Sequence, residues 1–160
     1  MSIREQRCRA QCLVVRGNRI LLVKQCVDGE EYYILPGGGT EQGEAPEKAA
    51  IRELYEECNV KGTIIRKTGE FYDPYSNNGL YVGFYTYLMD IGDQEPTLGY
   101  DPEFGDDQVL KEVVWLTLDE LSERDRAFLW SAGIMSVPQF YEEIQTWSRE
   151  VIPAPKRRNE

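Results

Sequence analysis

The stretch that most constrains the fold is a glycine-rich segment followed directly by a glutamate-rich one. Pro36 and the four glycines up to Gly43 predict a loop that turns tightly and brings bare backbone close to a ligand. We predict a helix from Pro46 onward. Its start is weakly capped, because Ala45 has no side-chain acceptor and Lys48 cannot complete a capping box. Apolar residues recur at helical spacing after Pro46, at Ala50, Ile51, Leu54, Tyr55 and Cys58.

Three glutamates share one face of this predicted helix. Glu53, Glu56 and Glu57 stand at i, i+3 and i+4, and we expect their carboxylates to be turned away from the apolar stripe. Like charges at this spacing cost roughly 0.2–0.5 kcal/mol per pair, and a bound cation would remove that cost. Carboxylate oxygens in a chain without histidine favour Mg²⁺ or Mn²⁺ over zinc. A merely solvated acidic face is the alternative, but it does not explain the glycine loop.

The stretch from Gly38 to Val60 resembles the signature of the Nudix hydrolases. That signature places a glutamate, an Arg-Glu pair and a Glu-Glu pair at fixed distances after a glycine. The chain departs from it at Asn59, where the family has glycine. We expect Asn59 to end the helix in the left-handed conformation, which asparagine tolerates best after glycine. The matching positions are Gly38, Glu44, Arg52-Glu53 and Glu56-Glu57.

The resemblance implies an enzyme that hydrolyses a diphosphate linkage with the help of a divalent metal ion. The implied ligands of Mg²⁺ or Mn²⁺ are the Gly38 carbonyl and the carboxylates of Glu53, Glu56 and Glu57. Arg52 would orient Glu53. The proton acceptor would be Glu53 or a carboxylate of the polar segment 90–108. The candidates in that segment are Glu103, Asp106 and Asp107.

The sequence does not identify the substrate. A nucleoside diphosphate joined to another group is expected, which includes a nucleoside triphosphate, an ADP-ribose-like sugar nucleotide and a dinucleoside polyphosphate. Pro74 and Tyr75 lie where some Nudix subfamilies select substrates. Tyrosines at 81, 85 and 87 are predicted either to line a nucleobase pocket or to pack within a covered sheet, and packing is favoured. A non-catalytic module that binds a nucleotide or a protein partner is the alternative function.

Composition narrows the function classes further. At 160 residues the chain fits one domain, which we place at residues 1–152, with a flexible tail at 153–160. A formal charge of −10 and a pI near 4.6 argue against binding a nucleic acid polymer, whereas a small phosphorylated substrate is still allowed. The absence of histidine excludes Ser-His-Asp and Cys-His catalysis.

The cysteine pattern and the hydropathy bear on the cellular compartment. The four cysteines form no Cys-x-x-Cys pair, so we predict reduced thiols in a cytoplasmic protein rather than a zinc site. No stretch is long enough to span a membrane, and the N-terminus lacks the apolar run of a signal peptide. Monomer and homodimer both remain open.

The order of the predicted strands and helices indicates the α/β fold class, as an α/β/α sandwich with a mixed central sheet. Gly17-Asn18 and Asp28-Gly29 predict the turns that connect the first three strands. Thr117 to Glu120 reads as a capping box that opens a short helix. A helix entered at Pro138 would bury Phe140, Ile144, Trp147 and Val151. Strands are predicted at 9–15, 19–25, 32–35, 63–71, 80–89 and 113–116, and another helix around 126–131.

Overall fold

A computed structural model describes residues 7–72, 81–100 and 109–142. Within these ranges, the strands are β1 (Cys8–Arg16), β2 (Arg19–Val27), β3 (Glu30–Ile34), β4 (Gly37–Gly39), β5 (Thr63–Tyr72), β6 (Gly83–Asp90) and β7 (Leu110–Thr117). The α-helices that both begin and end within these ranges are α1 (Pro46–Cys58) and α2 (Glu123–Ser131), and 3₁₀ turns occur at Leu118–Glu120, Ile134–Ser136 and Pro138–Phe140. None of the helices in these ranges has the length and apolar character needed to cross a membrane.

The strands form one mixed sheet. Its main path is β3-β2-β1-β6-β5, with β4 paired to β1 and β7 paired to β2. Strands β1 and β6 run parallel, and the other pairs are antiparallel. Both predicted turns are present. Asp28 and Gly29 have φ values of 52° and 80°, which a tight two-residue hairpin requires.

Each face of the sheet supports its own hydrophobic core. Helix α1 packs over one face, where Ala10, Cys12 and Val14 of β1 lie. Residue Leu13 of β1 points to the other face, against α2 and the 3₁₀ turns that follow it. This alternation along β1 is the period of two that a doubly covered strand requires. The predicted α/β/α sandwich with a mixed sheet is confirmed.

Both predicted ends of α1 are confirmed. Ala45 is extended, makes no side-chain cap and is followed by Pro46 in the first turn. Asn59 adopts the left-handed conformation with φ 56° and ψ 32°, and its N–H donates to the Tyr55 carbonyl at 2.9 Å. The helix therefore has a weak start and a well-bonded end.

The buried face of α1 differs from the prediction. Ile51 and Tyr55 are exposed, and Glu53 and Glu57 are buried, with 7% and 5% of their surface exposed. The prediction that the glutamates turn away from the apolar side was wrong for these two. The reason is that α1 crosses β4, a strand of three glycines whose missing side chains leave room for carboxylates. The apolar residues that α1 buries are Ala49, Ala50, Leu54 and Cys58.

Several element boundaries also differ. The glycines at 37–39 form a short strand, because β1 offers them backbone partners that the sequence pattern does not reveal. The strand predicted from residue 80 begins at Gly83, and the one predicted from 113 begins at Leu110. The segments after Thr117 and Pro138 each begin with a single 3₁₀ turn. Outside the described residues lie Pro74, Tyr75, Ile144, Trp147, Val151 and the tail at 153–160.

The weak start of α1 generates a stability prediction. Ala45→Thr together with Lys48→Glu would complete a capping box, since both positions are exposed and Ala45 already has the extended backbone of an N-cap. We expect a gain of roughly 1 kcal/mol in the free energy of unfolding, measured by urea denaturation. Ala45→Val with Lys48→Glu is the control, because valine has the shape of threonine without its hydroxyl. Equal stability of the two double variants would contradict the capping explanation.

Candidate active site

The guanidinium of Arg52 is the centre of an acidic cluster on α1 and the preceding loop. It donates to both oxygens of Glu44 at 2.9 Å, from Nε and Nη2. Its Nη1 donates to Glu53 Oε1 at 2.9 Å and lies 3.3–3.4 Å from the carboxylate oxygens of Glu56. Its Nη2 also donates to the Gly39 carbonyl at 3.1 Å. One planar cation thus connects three carboxylates to the glycine strand β4.

Strand β4 contacts the glutamates of α1 directly. A Cβ atom at Gly38 would lie 2.4 Å from Glu53 Oε1, so only glycine allows this carboxylate to approach the strand. The N–H of Gly37 donates to Glu57 Oε2 at 2.9 Å. Both buried glutamates of α1 are therefore held against β4, Glu53 by close packing and Glu57 by a hydrogen bond.

The acidic cluster around Arg52 carries more negative than positive charge. Glu44, Glu53, Glu56 and Glu57 carry four formal negative charges, and Arg52 carries one positive charge, which leaves −3. Hydrogen bonds from Arg52, and one from the Glu41 backbone, hold the pKa of Glu44 below its ordinary value. The carboxylates of Glu44 and Glu53 raise the pKa of Arg52, so the guanidinium stays charged.

The structure brings together part of the predicted site. Arg52, Glu53 and Glu56 meet at the guanidinium, and Gly38 lies against Glu53. Glu57 bonds instead to Gly37, and among residues 7–72, 81–100 and 109–142 no three acidic or thiol side chains converge at metal-ligand distance. The ligand set stays a prediction, as does the proton acceptor. The loop candidates Glu103, Asp106 and Asp107 lie outside the described residues.

A family model for the NUDIX domain matches residues 6–136. The chain belongs to the Nudix family. The match includes the whole cluster around Arg52, and it ends before the last segment of the chain. The predicted domain boundary at residue 152 stays a prediction.

The curated relatives include mammalian phosphohydrolases. Human diphosphoinositol polyphosphate phosphohydrolase 3-alpha is 37% identical over 102 residues, which cover 60% of this chain and 62% of the human protein. The mouse protein of the same name is 46% identical over 66 residues, which cover 39% of this chain and 40% of the mouse protein. The chain thus spans less than two thirds of the length of these curated relatives.

Solved Nudix structures share the fold at lower sequence identity. The MutT Nudix hydrolase from Burkholderia pseudomallei superposes with a TM-score of 0.62 at 24% identity, over 79% of this chain and 98% of that one. A Nudix hydrolase from Nitrosomonas europaea gives a TM-score of 0.61 at 19% identity, over 78% and 64% of the two chains. These likenesses support the α/β/α sandwich as the fold of this chain.

Nudix hydrolases generally use divalent metal ions, and the residues present fit such an ion. The donors are carboxylates and a backbone carbonyl, which are the hard oxygen ligands that Mg²⁺ and Mn²⁺ prefer. The excess negative charge around Arg52 is a feature of this chain that suits a cation, and Gly38 lets its backbone lie in contact with the Glu53 carboxylate. Gly38, Glu53, Glu56 and Glu57 are the residues that would hold it.

The sequence interpretation missed two arginines next to this Nudix site. Arg7 Nε donates to the Thr40 carbonyl at 3.2 Å, one residue along the chain from the Gly39 carbonyl that Arg52 contacts. Arg9 Nη2 donates to the Leu35 carbonyl at 3.3 Å. Within the described residues, neither arginine forms an ion pair with a carboxylate, although the chain is strongly acidic. The signal that could have identified them is their spacing of two, with Arg7 directly before β1 and Arg9 within it.

The depressed pKa of Glu44 generates a pH prediction. Glu44→Gln should lower the free energy of unfolding at pH 7 by about 1–3 kcal/mol, because it weakens two charge-assisted hydrogen bonds to Arg52. The folded pKa of Glu44 lies below its ordinary value of 4.5, so the ion pair stabilises the fold above that pH. Its contribution is lost as the pH falls through the folded pKa.

Urea unfolding of both proteins between about pH 7 and about pH 2.5 checks this prediction. The gap in stability between wild type and variant should close as the pH falls. Glu41→Gln is the matched control, because Glu41 lies 3.9 Å from Arg52 and its side chain is 65% exposed, so little change is expected. A Glu44→Gln gap that stays constant with pH would contradict the role of ionisation.

Proposed function

We propose that this chain is a Nudix pyrophosphohydrolase that uses Mg²⁺, or Mn²⁺, to hydrolyse a diphosphate linkage in a small phosphorylated substrate. The observation that carries the proposal is the convergence of Glu44, Glu53 and Glu56 on Arg52 beside the glycine strand. This arrangement concentrates negative charge where the Glu53 carboxylate packs directly against the backbone of Gly38. Every acidic residue of the Nudix signature is present, which supports an enzyme over a non-catalytic binding module.

The chain's own residues would act as follows. Arg52 holds Glu53 and Glu56 in fixed positions, and the Gly37 N–H holds Glu57. A divalent ion held by Gly38, Glu53, Glu56 and Glu57 would supply positive charge beside the phosphates and make water more acidic. Either Glu53 or one of the loop carboxylates, Glu103, Asp106 or Asp107, would accept the proton of the attacking water. Both alternatives for the proton acceptor stay open.

Arg7 and Arg9 support a substrate with several phosphates. A guanidinium is a strong donor for phosphate oxygens, and both arginines now donate only to uncharged acceptors within the described residues. The curated mammalian relatives are named for diphosphoinositol polyphosphates, which carry dense negative charge. We therefore propose diphosphoinositol polyphosphates as the leading substrate class. Nucleoside triphosphates, sugar nucleotides and dinucleoside polyphosphates are the alternatives.

The tyrosines of β6 give little support for a nucleobase pocket. The ring of Tyr87 is 2% exposed, and its hydroxyl donates to Glu47 at 3.3 Å. Tyr85 packs against the core beneath α1. Burial and the neighbouring Glu47 carboxylate raise the pKa of Tyr87, so its hydroxyl stays protonated and can donate. These contacts favour the packing interpretation.

The metal part of the proposal makes a prediction on the protein alone. Mg²⁺ should raise the melting temperature of the wild type, because a ligand that binds the folded state stabilises it. Glu56→Gln with Glu57→Gln should abolish most of that rise. The matched control is Glu112→Gln with Glu123→Gln, which removes the same charge at exposed positions outside the cluster. An equal response to Mg²⁺ in both double variants would show that these glutamates do not bind the ion.

The substrate part is tested by hydrolysis of each compound class with Mg²⁺, measured as released phosphate or nucleotide. On a diphosphoinositol polyphosphate, Arg7→Gln with Arg9→Gln should raise KM about ten-fold or more and change kcat less, since it removes substrate binding. Arg19→Gln is the control, as an exposed arginine at the opposite end of β1 and β2. Better turnover of a nucleotide would overturn the leading class. If the chain binds Mg²⁺ but hydrolyses none of the four compound classes, it is a binding module.

A further inference from the structure

Helix α1 ends in contact with a second segment of the chain, residues 91–100, which follows β6. The N–H of Thr97 donates to the Cys58 carbonyl at 3.0 Å, and the N–H of Gly99 donates to the Glu57 carbonyl at 2.7 Å. Carbonyls in the last turn of a helix have no partner within the helix, so this segment satisfies two of them. The segment therefore caps the turn that carries Glu56 and Glu57.

The backbone contact at this cap is unusually close. A Cβ atom at Gly99 would lie 1.8 Å from the Glu56 carbonyl oxygen, and such an approach excludes any residue other than glycine. The segment thus fits directly against the backbone of Glu56 and bonds to that of Glu57. Residues 97–99 and the backbone of both glutamates are therefore in direct contact.

Asn59 connects the two sides of this contact through its side chain. Its Nδ2 donates to Thr97 Oγ1 at 3.0 Å and to the carbonyls of Thr97 and Leu98 at 3.3 Å. The residue that usually stands here in the Nudix signature is glycine, which has no side chain to make these bonds. Asn59 keeps the left-handed backbone of that glycine and adds a tie that the signature lacks.

The first part of the same segment, residues 92–95, is held by other contacts. Gln94 exchanges hydrogen bonds with the backbone of Lys61, at 3.0 and 2.8 Å. Arg16 pairs with Glu95 at 2.9 Å and donates to the carbonyls of Gly92 and Gln94. Because residues 92–95 are held without Asn59, loss of its side chain would release mainly residues 97–99. The cap on α1 would loosen while the fold stays intact.

We propose that Asn59 is a positioning residue for Glu56 and Glu57, which acts by tying residues 97–99 to the last turn of α1. The inference rests on the proposed function, in which these two glutamates hold a divalent ion. It adds a residue outside the ligand set to the determinants of metal affinity. Outer-shell partners of metal ligands commonly contribute 10- to 100-fold to affinity. Asn59 is exposed, so we expect an effect near the lower limit.

The test compares Asn59→Gly with wild type. Glycine tolerates the left-handed backbone, so the variant should fold and lose only the side-chain bonds. Amide hydrogen exchange of Thr97 and Gly99 should become faster. The Mg²⁺ concentration for half of the maximal thermal shift should rise roughly ten-fold. With a diphosphate substrate, kcat at saturating Mg²⁺ should fall by a smaller factor than the metal affinity does.

Two further variants separate the tie from general effects. Asn59→Asp keeps the size of the side chain but has no N–H to donate; because it also adds a negative charge, its readout is amide exchange of Thr97 and Gly99, which should become faster as in Asn59→Gly. Asn18→Gly makes the same chemical change in the β1–β2 turn and should leave the Mg²⁺ midpoint unchanged. If the midpoint is the same in Asn59→Gly and wild type, Asn59 does not position the ligands. A wild type without any Mg²⁺ response would instead overturn the proposed function, and this inference with it.

Discussion

The site depends on one partly buried arrangement, the guanidinium of Arg52 among carboxylates. A cluster of Glu44, Glu53 and Glu56 would repel itself if no cation were present, and burial would raise that cost. Arg52 removes part of the repulsion with paired hydrogen bonds, and its planar group also fixes the direction of each carboxylate. It leaves an excess of negative charge, which is what a site for a divalent cation requires. One residue therefore serves both the folded state and the proposed chemistry.

The glycine strand β4 is the second requirement. Its lack of side chains lets α1 approach β1 closely enough to press Glu53 against Gly38 and to bond Glu57 to Gly37. The consecutive carbonyls of Gly39 and Thr40 accept hydrogen bonds from Arg52 and from Arg7. The backbone carbonyls that Arg52 and Arg7 contact are thus only one residue apart. In the proposed function, a substrate bound here would meet the carboxylates that hold the metal ion and the arginine that binds phosphate.

The end of α1 shows how a departure from a family signature can be accommodated and used. Asparagine at position 59 keeps the left-handed turn, and its amide adds bonds to residues 97 and 98. The helix is therefore held at its C-terminal end by tertiary contacts, although its N-terminal end has no side-chain cap. Local sequence controls the geometry of the turn, and the packing of a distant segment controls how firmly the last glutamates are held.

The sequence by itself determined the Nudix signature, the hairpin turns, both ends of α1 and the doubly covered sheet, because these follow from local spacing and backbone preference. It did not determine which side of α1 the glutamates occupy. The polar Glu53 and Glu57 are buried, whereas the apolar Ile51 and Tyr55 are exposed. The reason is that the glycines of β4 create space, and this space appears only when β4 pairs with β1. The hydrogen bonds from Arg7 to Thr40 and from Asn59 to Thr97 likewise join residues that are 33 and 38 positions apart. Such contacts depend on chain packing, which local periodicity does not encode.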